Sequence, residues 1–383
     1  MILYQYNSKG KLRQWHIYKQ GNEIVSLAGE VGGKQTETRT EVLCGLAGRS
    51  LDEQIELEIN SEINKKIKAG YVEELSKAKT KGESATINKP AKGLPYYPTP
   101  KKGFLTLKEA GYSDKQCIIQ PKLDGWRYRI WTDGEECKFY TASGDLTLGF
   151  PQIENEILLL FSLFPKIDYM IFDGEIYNHD LGFQKTASAC GSGKNKTKQI
   201  ELTKEQRELR DDMNFYCFDY VSYEKYIDRY NKLRDTIILN DFYFIKLVGG
   251  HICTPEDTII QNLFQDALSE GYEGLIIRRL DFAYEHKKSK QFLKYKPLID
   301  IEGVVTGFVR SITGETLGSL NIDGKYKADL MNDVGTDEYK QFIWYNQHLF
   351  LGKKATIQFM EYTDDGIPRH PRVKAFRDKI DIS

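Results

Sequence analysis

The chain has 383 residues, 40% of them hydrophobic and 12% aromatic, which is enough to bury the cores of two or three domains. No apolar run reaches the roughly 18 residues needed to cross a bilayer, and Met1 to Tyr6 lacks a charged and then apolar leader, so a cytoplasmic place, or a nuclear one in a host cell, is expected, with no membrane partner. A net charge of −1 confines any nucleic-acid surface to local clusters, and six cysteines and six histidines scattered without a C-x-x-C pair argue against a disulfide framework or a zinc site.

Apolar and polar residues alternate in Gln14-Trp15-His16-Ile17-Tyr18 and again in Ile24-Val25-Ser26-Leu27 after Gly21-Asn22, the pattern of antiparallel strands. A helix follows from Leu51 to Lys68, with Ser50 as its N-cap and Gly70 as its stop. Pro90, Pro95, Pro98 and Pro100 among lysines and glycines mark 76–103 as a linker that wraps onto the next domain. From 104 to 297, strand-like runs at 117–119, 128–131, 170–172, 215–218 and 275–277 alternate with helical ones at 152–161 and 259–269. Beyond Lys296 come strand patterns at 304–309, 318–322 and 356–362, broken by one helix from Thr336 to about His348, which suits an OB-fold.

Chemistry gathers in four strings. Gln120-Pro121-Lys122-Leu123-Asp124-Gly125-Trp126-Arg127 offers a lysine; Asp173-Gly174-Glu175 and Glu273-Gly274-Leu275-Ile276-Ile277-Arg278 offer carboxylates beside glycines; Lys294-Tyr295-Lys296 offers two cations. Carboxylates suit a divalent metal and cations suit a polyphosphate, the two needs of phosphoryl or nucleotidyl transfer. An unperturbed lysine has a pKa of about 10.4, so a nucleophilic one needs help from neighbouring cations or partial desolvation.

In this order the strings resemble the collinear motifs of the lysine nucleotidyltransferases, which comprise DNA ligases, RNA ligases and mRNA capping enzymes. The likeness is nearest to compact ATP-dependent DNA ligases of chlorovirus and phage type. It runs from about residue 100 to the C-terminus through Phe183-Gln184, Ser188-Ala189, Phe218-Asp219-Tyr220-Val221, Tyr226-Ile227-Asp228-Arg229, Arg369-His370-Pro371-Arg372 and Phe376-Arg377-Asp378-Lys379. It implies an α+β fold: an ATP-grasp-like nucleotidyltransferase core with antiparallel sheets over 104–297 and an OB-fold β-barrel over 298–383. Residues 1–75 would form a small α+β domain; Gly29 to Gln35 and Lys65 to Val72 are similar to a WGR-like module, although Ala28 and Glu30 stand where its tryptophan and arginine belong.

The resemblance implies ATP, covalently held as AMP on the nucleophile Lys122, magnesium, and nicked double-stranded DNA as partner, with a monomeric protein. Glu273 would bind the metal and Glu175 the ribose or metal, while Asp124 and Asp173 shape the pocket. Lys294 and Lys296, two apart on a strand, would share a face, grip the α-phosphate and depress the Lys122 pKa. Phe218 would stack on adenine, Gln120 meet its edge and Arg127 contact ribose, while Arg369 and Arg377 would orient the leaving pyrophosphate. DNA contacts are expected from Arg278 and Lys288 in the basic run 278–296, and from Lys194 and Lys196 in a loop.

One departure stands out: where the family has a Ser-Arg pair after the nucleophile string, whose arginine meets the nick 5′-phosphate, this chain reads Phe139-Tyr140-Thr141-Ala142-Ser143-Gly144, and the arginine is missing near Ala142. Arg129, another basic residue or the N-terminal domain would have to supply that contact. A long DNA-encircling insertion in the OB region is also missing between 313 and 324, so the N-terminal domain is a candidate clamp. A capping guanylyltransferase, an RNA-joining enzyme and a non-catalytic clamp remain as alternatives. Ala189 to Lys194 lacks the Walker spacing, because Ser188 and Asn195 stand where a glycine and a Ser or Thr would be needed.

Overall fold

The alternation at Gln14–Tyr18 lies within the strand Leu12–Gln20, central in an antiparallel sheet of Ile2–Tyr6, Leu12–Gln20, Glu23–Glu30 and Gln35–Glu41. The computed structural model describes residues 1–6, 11–68, 71–75, 90–101, 103–165, 167–191, 202–312, 314–331, 334–363 and 365–377. They divide into two units, one of Met1–Thr86 with Leu298–Ser383 and the other Ile87–Pro297.

In the first unit, Trp15 and Ile17, two apart and so on one side of the strand, pack with Ile24 against Ile55 and Ile63 of the helix Leu51–Lys68. That helix starts where a reciprocal cap forms: the Glu53 N–H donates to Ser50 Oγ (3.2 Å) and the Ser50 N–H to Glu53 Oε2 (2.7 Å). Gly70 lies outside the described residues. The C-terminal strands Ile299–Arg310, Leu317–Ile322, Tyr326–Leu330, Arg372–Phe376 and Lys354–Phe359 close a barrel in that spatial order. The strands Tyr326–Leu330 and Arg372–Phe376 pair parallel, and the helices Asp337–Tyr345 and Gln347–Phe350 fall between Tyr326–Leu330 and Lys354–Phe359 in sequence, an OB-like arrangement. A backbone bond from the Leu43 N–H to the Ile312 carbonyl (3.1 Å) ties the two ends of the chain within this unit.

The second unit holds two sheets. Six strands run Ile245–Leu247, Asn214–Tyr220, Met170–Tyr177, Trp126–Thr132, Cys137–Thr141, Leu146–Thr147; five run His251–Cys253, Cys117–Lys122, Gly274–Arg279, Lys288–Tyr295, Lys92–Pro95. Most pairs are antiparallel, as expected, with one parallel pair at an edge of each sheet. The helix Pro151–Ser162 buries Ile153, Ile157 and Leu160 against the six-stranded sheet, and Asp257–Ser269 buries Ile260, Phe264 and Ala267 in the core of the other. Both sets follow the helical period, and each fully buried large side chain contributes about 1.5–3 kcal/mol.

Of the segment 76–103, residues 90–101 and 103 are described. Its described part contributes the strand Lys92–Pro95, paired parallel with Lys288–Tyr295 at the sheet edge. Proline is tolerated because this is an edge strand and Pro95 ends it.

Candidate active site

A cavity of about 310 Å³ lies between the two sheets, lined from four strands of the five-stranded sheet, Lys92 on its edge strand among them, and three of the other. The five-stranded sheet supplies Gln120 and Lys122, Ile276 and Arg278, and Phe292 and Lys294; the other sheet supplies Arg127, Glu175 and Phe218. The strand period of two explains the first three pairs, because residues i and i+2 share a face.

Register then sets the contacts. Lys122 is opposite Gly274, and the Glu273 N–H donates to the Lys122 carbonyl (2.9 Å), which brings the Glu273 carboxylate to the Lys122 ammonium. Lys122 Nζ pairs with Glu273 Oε2 and Lys296 Nζ with Oε1, so one carboxylate, 5% exposed, holds two ammonium groups. Gly274 has a φ of 143°, and a side chain there would run into the Tyr295 carbonyl, so the backbone crossing that delivers Glu273 requires glycine. Gly125 serves differently: a Cβ would lie 2.6 Å from Glu175 Cγ and 2.6 Å from the Ile176 carbonyl oxygen. The Asp-Gly after Lys122 thus lets the strand carrying Glu175 pack directly on the turn.

Glu175 is opposite Arg127, whose guanidinium reaches diagonally to Asp173. Arg127 Nε donates to Oδ1 (2.8 Å) and Nη2 to Oδ2, Nη1 donates to the Ala91 carbonyl (2.7 Å), and the Tyr284 hydroxyl donates to Asp173 Oδ2. Burial alone would raise the Asp173 carboxyl, yet Arg127 and Tyr284 hold it below the ordinary range. Burial pushes Glu175 up to about 7, against the pull of Lys122 and Arg127. Burial, with Lys122 and Arg127 nearby, brings Lys294 down to about 8.

Phe218 forms part of the wall, its ring centroid 5.2 Å from the Arg127 guanidinium carbon and 5.1 Å from that of Arg278. Its backbone is steadied from behind: the Tyr226 hydroxyl donates to the Phe218 carbonyl (3.0 Å), and Arg229 clasps Asp219 through Nε–Oδ1 (2.7 Å) and Nη2–Oδ2 (3.0 Å). Gln120 is 1% exposed and its amide is engaged, Nε2 donating to the Val248 carbonyl (2.7 Å) and Oε1 accepting from Tyr226 (3.4 Å).

Several expectations change. Arg278, placed by the sequence on a DNA surface, is 6% exposed, lines the cavity and meets Asp219 (3.4 Å) among the rings of Phe218, Tyr226 and Phe292, so it lies in the cavity wall and not on the outer surface. Arg129 is fully buried, so it cannot supply the phosphate contact missing at Ala142, which itself lines the cavity. Lys294 and Lys296 do not form a pair on one strand: the strand ends at Tyr295, Phe292 shares the wall with Lys294, and Lys296 goes to Glu273. Lys288 is exposed at the start of its strand, and Lys194 and Lys196 lie outside the described residues. In the first unit, Arg369 pairs with Glu361 (2.5 Å) and Arg377 with Glu302 (3.3 Å). Asp124 is half-buried beside the Tyr177 ring's strand.

Sequence patterns did not single out Pro90 and Lys92, which line the cavity, or Tyr284, which anchors Asp173. Four residues among prolines carry no periodicity and find their place by pairing with a distant strand, while Tyr284 sits inside a charged run and is placed by its bonds to Asp173 and the Ser222 carbonyl.

Two sheets around a cavity lined by Lys122, Glu175 and Lys294, with Glu273 holding Lys122, define a nucleotidyltransferase-type core. The model of the ATP dependent DNA ligase domain matches residues 105–296, half of the chain, and the chain belongs to that family. A DNA ligase of African swine fever virus is 27% identical over 289 residues, covering 69% of this chain and 64% of the relative. A probable DNA ligase of Dictyoglomus turgidum is 29% identical over 177 residues, 44% of this chain and 29% of that one. The chain thus spans just under two thirds of the length of the viral relative. Among solved structures, the one named Pmar-Lig_Pre. superposes with a TM-score of 0.61 at 19% identity, covering 76% of this chain and 68% of that one. One from a structure-function study of Lig E DNA ligases gives 0.55 at 18%, covering 76% and 100%. These two share the fold.

Proposed function

We propose that the protein is an ATP-dependent DNA ligase that seals 5′-phosphate/3′-hydroxyl nicks in duplex DNA, working as a monomer. The observation that carries the reading is the Lys122–Glu273–Lys296 ion triplet beside a cavity walled by Lys294 and Arg127. A lysine nucleophile, cations for an α-phosphate and a carboxylate that can take up a proton are there within one cleft.

In the first step Lys122 Nζ gives up its proton and its contact to Glu273, attacks the α-phosphorus of ATP and forms a P–N bond as pyrophosphate leaves. Lys294, with a pKa near 8, is largely protonated at neutral pH and offsets charge on the α-phosphate. Arg127, locked by Asp173 and Ala91, presents a fixed guanidinium toward the nucleotide, and Phe218 offers the flat surface for adenine. An oxygen of the DNA 5′-phosphate then attacks the AMP phosphorus, releasing the Lys122 amine. Last, the 3′-hydroxyl attacks the DNA phosphorus, the phosphodiester forms and AMP leaves.

Glu175 and Glu273 fit a hard divalent cation: they are oxygen donors, and a carboxyl whose pKa stands near 7 is one that a nearby cation would ionise. Magnesium held there would supply charge neutralisation at the phosphates. Arg369 and Arg377 of the barrel would serve pyrophosphate departure once released from Glu361 and Glu302. Lys288, Lys194 and Lys196 would contact the DNA backbone, giving salt-dependent and sequence-tolerant binding.

Incubation with labelled ATP or GTP and magnesium, then with nicked duplex, tests the reading. Label from ATP should enter the protein, pass to the 5′-phosphate and be released as AMP on sealing, and Lys122→Ala should take up none. Labelling by GTP alone, or undiminished labelling of Lys122→Ala, would overturn it.

A further inference from the structure

Among the described residues, five cations line the cavity, Lys92, Lys122, Arg127, Arg278 and Lys294, against the single carboxylate of Glu175. Three of the five are spoken for: Lys122 rests on Glu273, Arg127 on Asp173 and Arg278 on Asp219. Lys294 is half-buried, and the charge of Lys92 is among those that weigh on it. Lys92 is different, being exposed and, among the described residues, without a carboxylate in ion-pair reach.

Its backbone is nonetheless fixed. The preceding Ala91 is clipped twice, its carbonyl accepting from Arg127 Nη1 (2.7 Å) and its N–H donating to the Tyr284 hydroxyl (3.4 Å). The Lys92 N–H donates to the Lys287 carbonyl (3.0 Å), and Gly93 presses so closely on Phe292 that a Cβ there would lie 2.5 Å from the ring. A cation anchored at the base, solvated at the tip and facing a cleft already rich in positive charge is disfavoured until an anion arrives. Ala142, near which the resemblance places a phosphate-binding arginine, lines the same cavity, and Arg129 is too buried to take over.

We infer that Lys92 binds a phosphate group of the substrate in this cavity, as a further phosphate-positioning residue of the reaction proposed above. Two sources share that chemistry, the phosphates of ATP and the 5′-terminal phosphate of the nicked strand. Single-turnover kinetics of Lys92→Ala, Lys92→Gln and Lys92→Arg in the full chain separate them. One arm follows adenylation by ATP; the other starts from pre-adenylated protein and follows AMP transfer to nicked duplex.

Loss of one charge-assisted hydrogen bond to phosphate should slow the affected step by about 10- to 100-fold, with Lys92→Arg restoring most of the rate. A defect confined to the ATP arm assigns the nucleotide phosphates; one confined to the DNA arm assigns the 5′-phosphate. In the second case binding of 5′-phosphorylated nicked duplex should also lose roughly one unit of salt slope, with no change for a 5′-hydroxyl duplex, which a merely structural lysine would not produce. Parental rates for Lys92→Ala and Lys92→Gln in both arms, in a protein whose parent seals nicks, overturn the role of Lys92 alone. A parent that never becomes adenylated overturns the proposed function and this inference together.

Discussion

Replacing Asp173 by asparagine keeps the shape of the side chain and removes its charge from beneath Arg127. Asp173 is fully buried and Arg127 16% exposed, and the carboxylate takes two hydrogen bonds from Arg127 and one from Tyr284. Removing one partner of a buried pair leaves the other charge uncompensated, which costs about 3–5 kcal/mol. For a unit of this size that corresponds to a fall in melting temperature of roughly 6 to 20 °C. Urea unfolding at pH 7 measures the loss directly, and Tyr284→Phe, which removes one hydrogen bond, should lose only about 1–2 kcal/mol. Exchanging both charged partners for apolar ones, Arg127→Met with Asp173→Leu, should recover much of the loss, because an absent charge needs no partner. The pH dependence has a definite sign. The folded carboxyl lies below its unfolded value of about 3.9, so its stabilisation is present above that pH and disappears as pH falls through the folded value. The gap between parent and Asp173→Asn should therefore close below about pH 4. A loss under about 1 kcal/mol at pH 7, or a gap unchanged down to pH 3, would refute the argument that the charge pair holds Arg127 in place.

Glu175 and Lys294 predict opposite trends. With its folded pKa raised to about 7, Glu175 weighs on the fold increasingly from about pH 4.3 to 7, so Glu175→Gln should raise the melting temperature at pH 8 and leave it unchanged at pH 4. Lys294, lowered to about 8, opposes folding while protonated, so Lys294→Met should stabilise the protein at pH 7 and give no gain above pH 10.5, while ATP binding by the parent weakens as pH rises through 8. Gly125→Ala forces its methyl against Glu175 Cγ and the Ile176 carbonyl, each 2.6 Å away, and should cost about 1–3 kcal/mol by chemical denaturation. Wild-type stability for that variant would mean that the turn yields without disturbing Glu175.

Much of this architecture was legible because its signals are local. Ser50 and Glu53 spell a capping box, and the spacing of Ile260, Phe264 and Ala267 spells a helix with one buried face. The strand Gln35–Glu41 was not legible: QTETRTE has no apolar alternation, and it is a strand because Glu23–Glu30 offers it an edge. For the same reason Lys92–Pro95 reads as linker in isolation and becomes a strand only once Lys288–Tyr295 lies beside it. Lys122, Glu175, Glu273 and Lys294 could be singled out because glycines flank two of them and the motif order is distinctive. Which of them meet could not, since register decides it.

Arg278 shows where charge patterning stops being informative. A basic residue between aromatics has the same period of two whether it faces water or a cleft, so Arg278 to Lys296 reads as one uniform surface. What separates Arg278 from Lys288 is Asp219, a carboxylate 59 residues earlier in the chain that meets Arg278 inside the fold, while Lys288 is exposed. Burial of a guanidinium is sustained by a partner of opposite sign and by rings that accept its flat face, and both are supplied here by the strand Asn214–Tyr220 and its neighbours. The carboxylates Asp173, Asp219 and Glu273 stand behind Arg127, Arg278 and Lys122 in turn, and each cation's position at the cavity follows from the acid that holds it. The basic wall therefore exists because an acidic layer, unreadable as such in the sequence, was built beneath it.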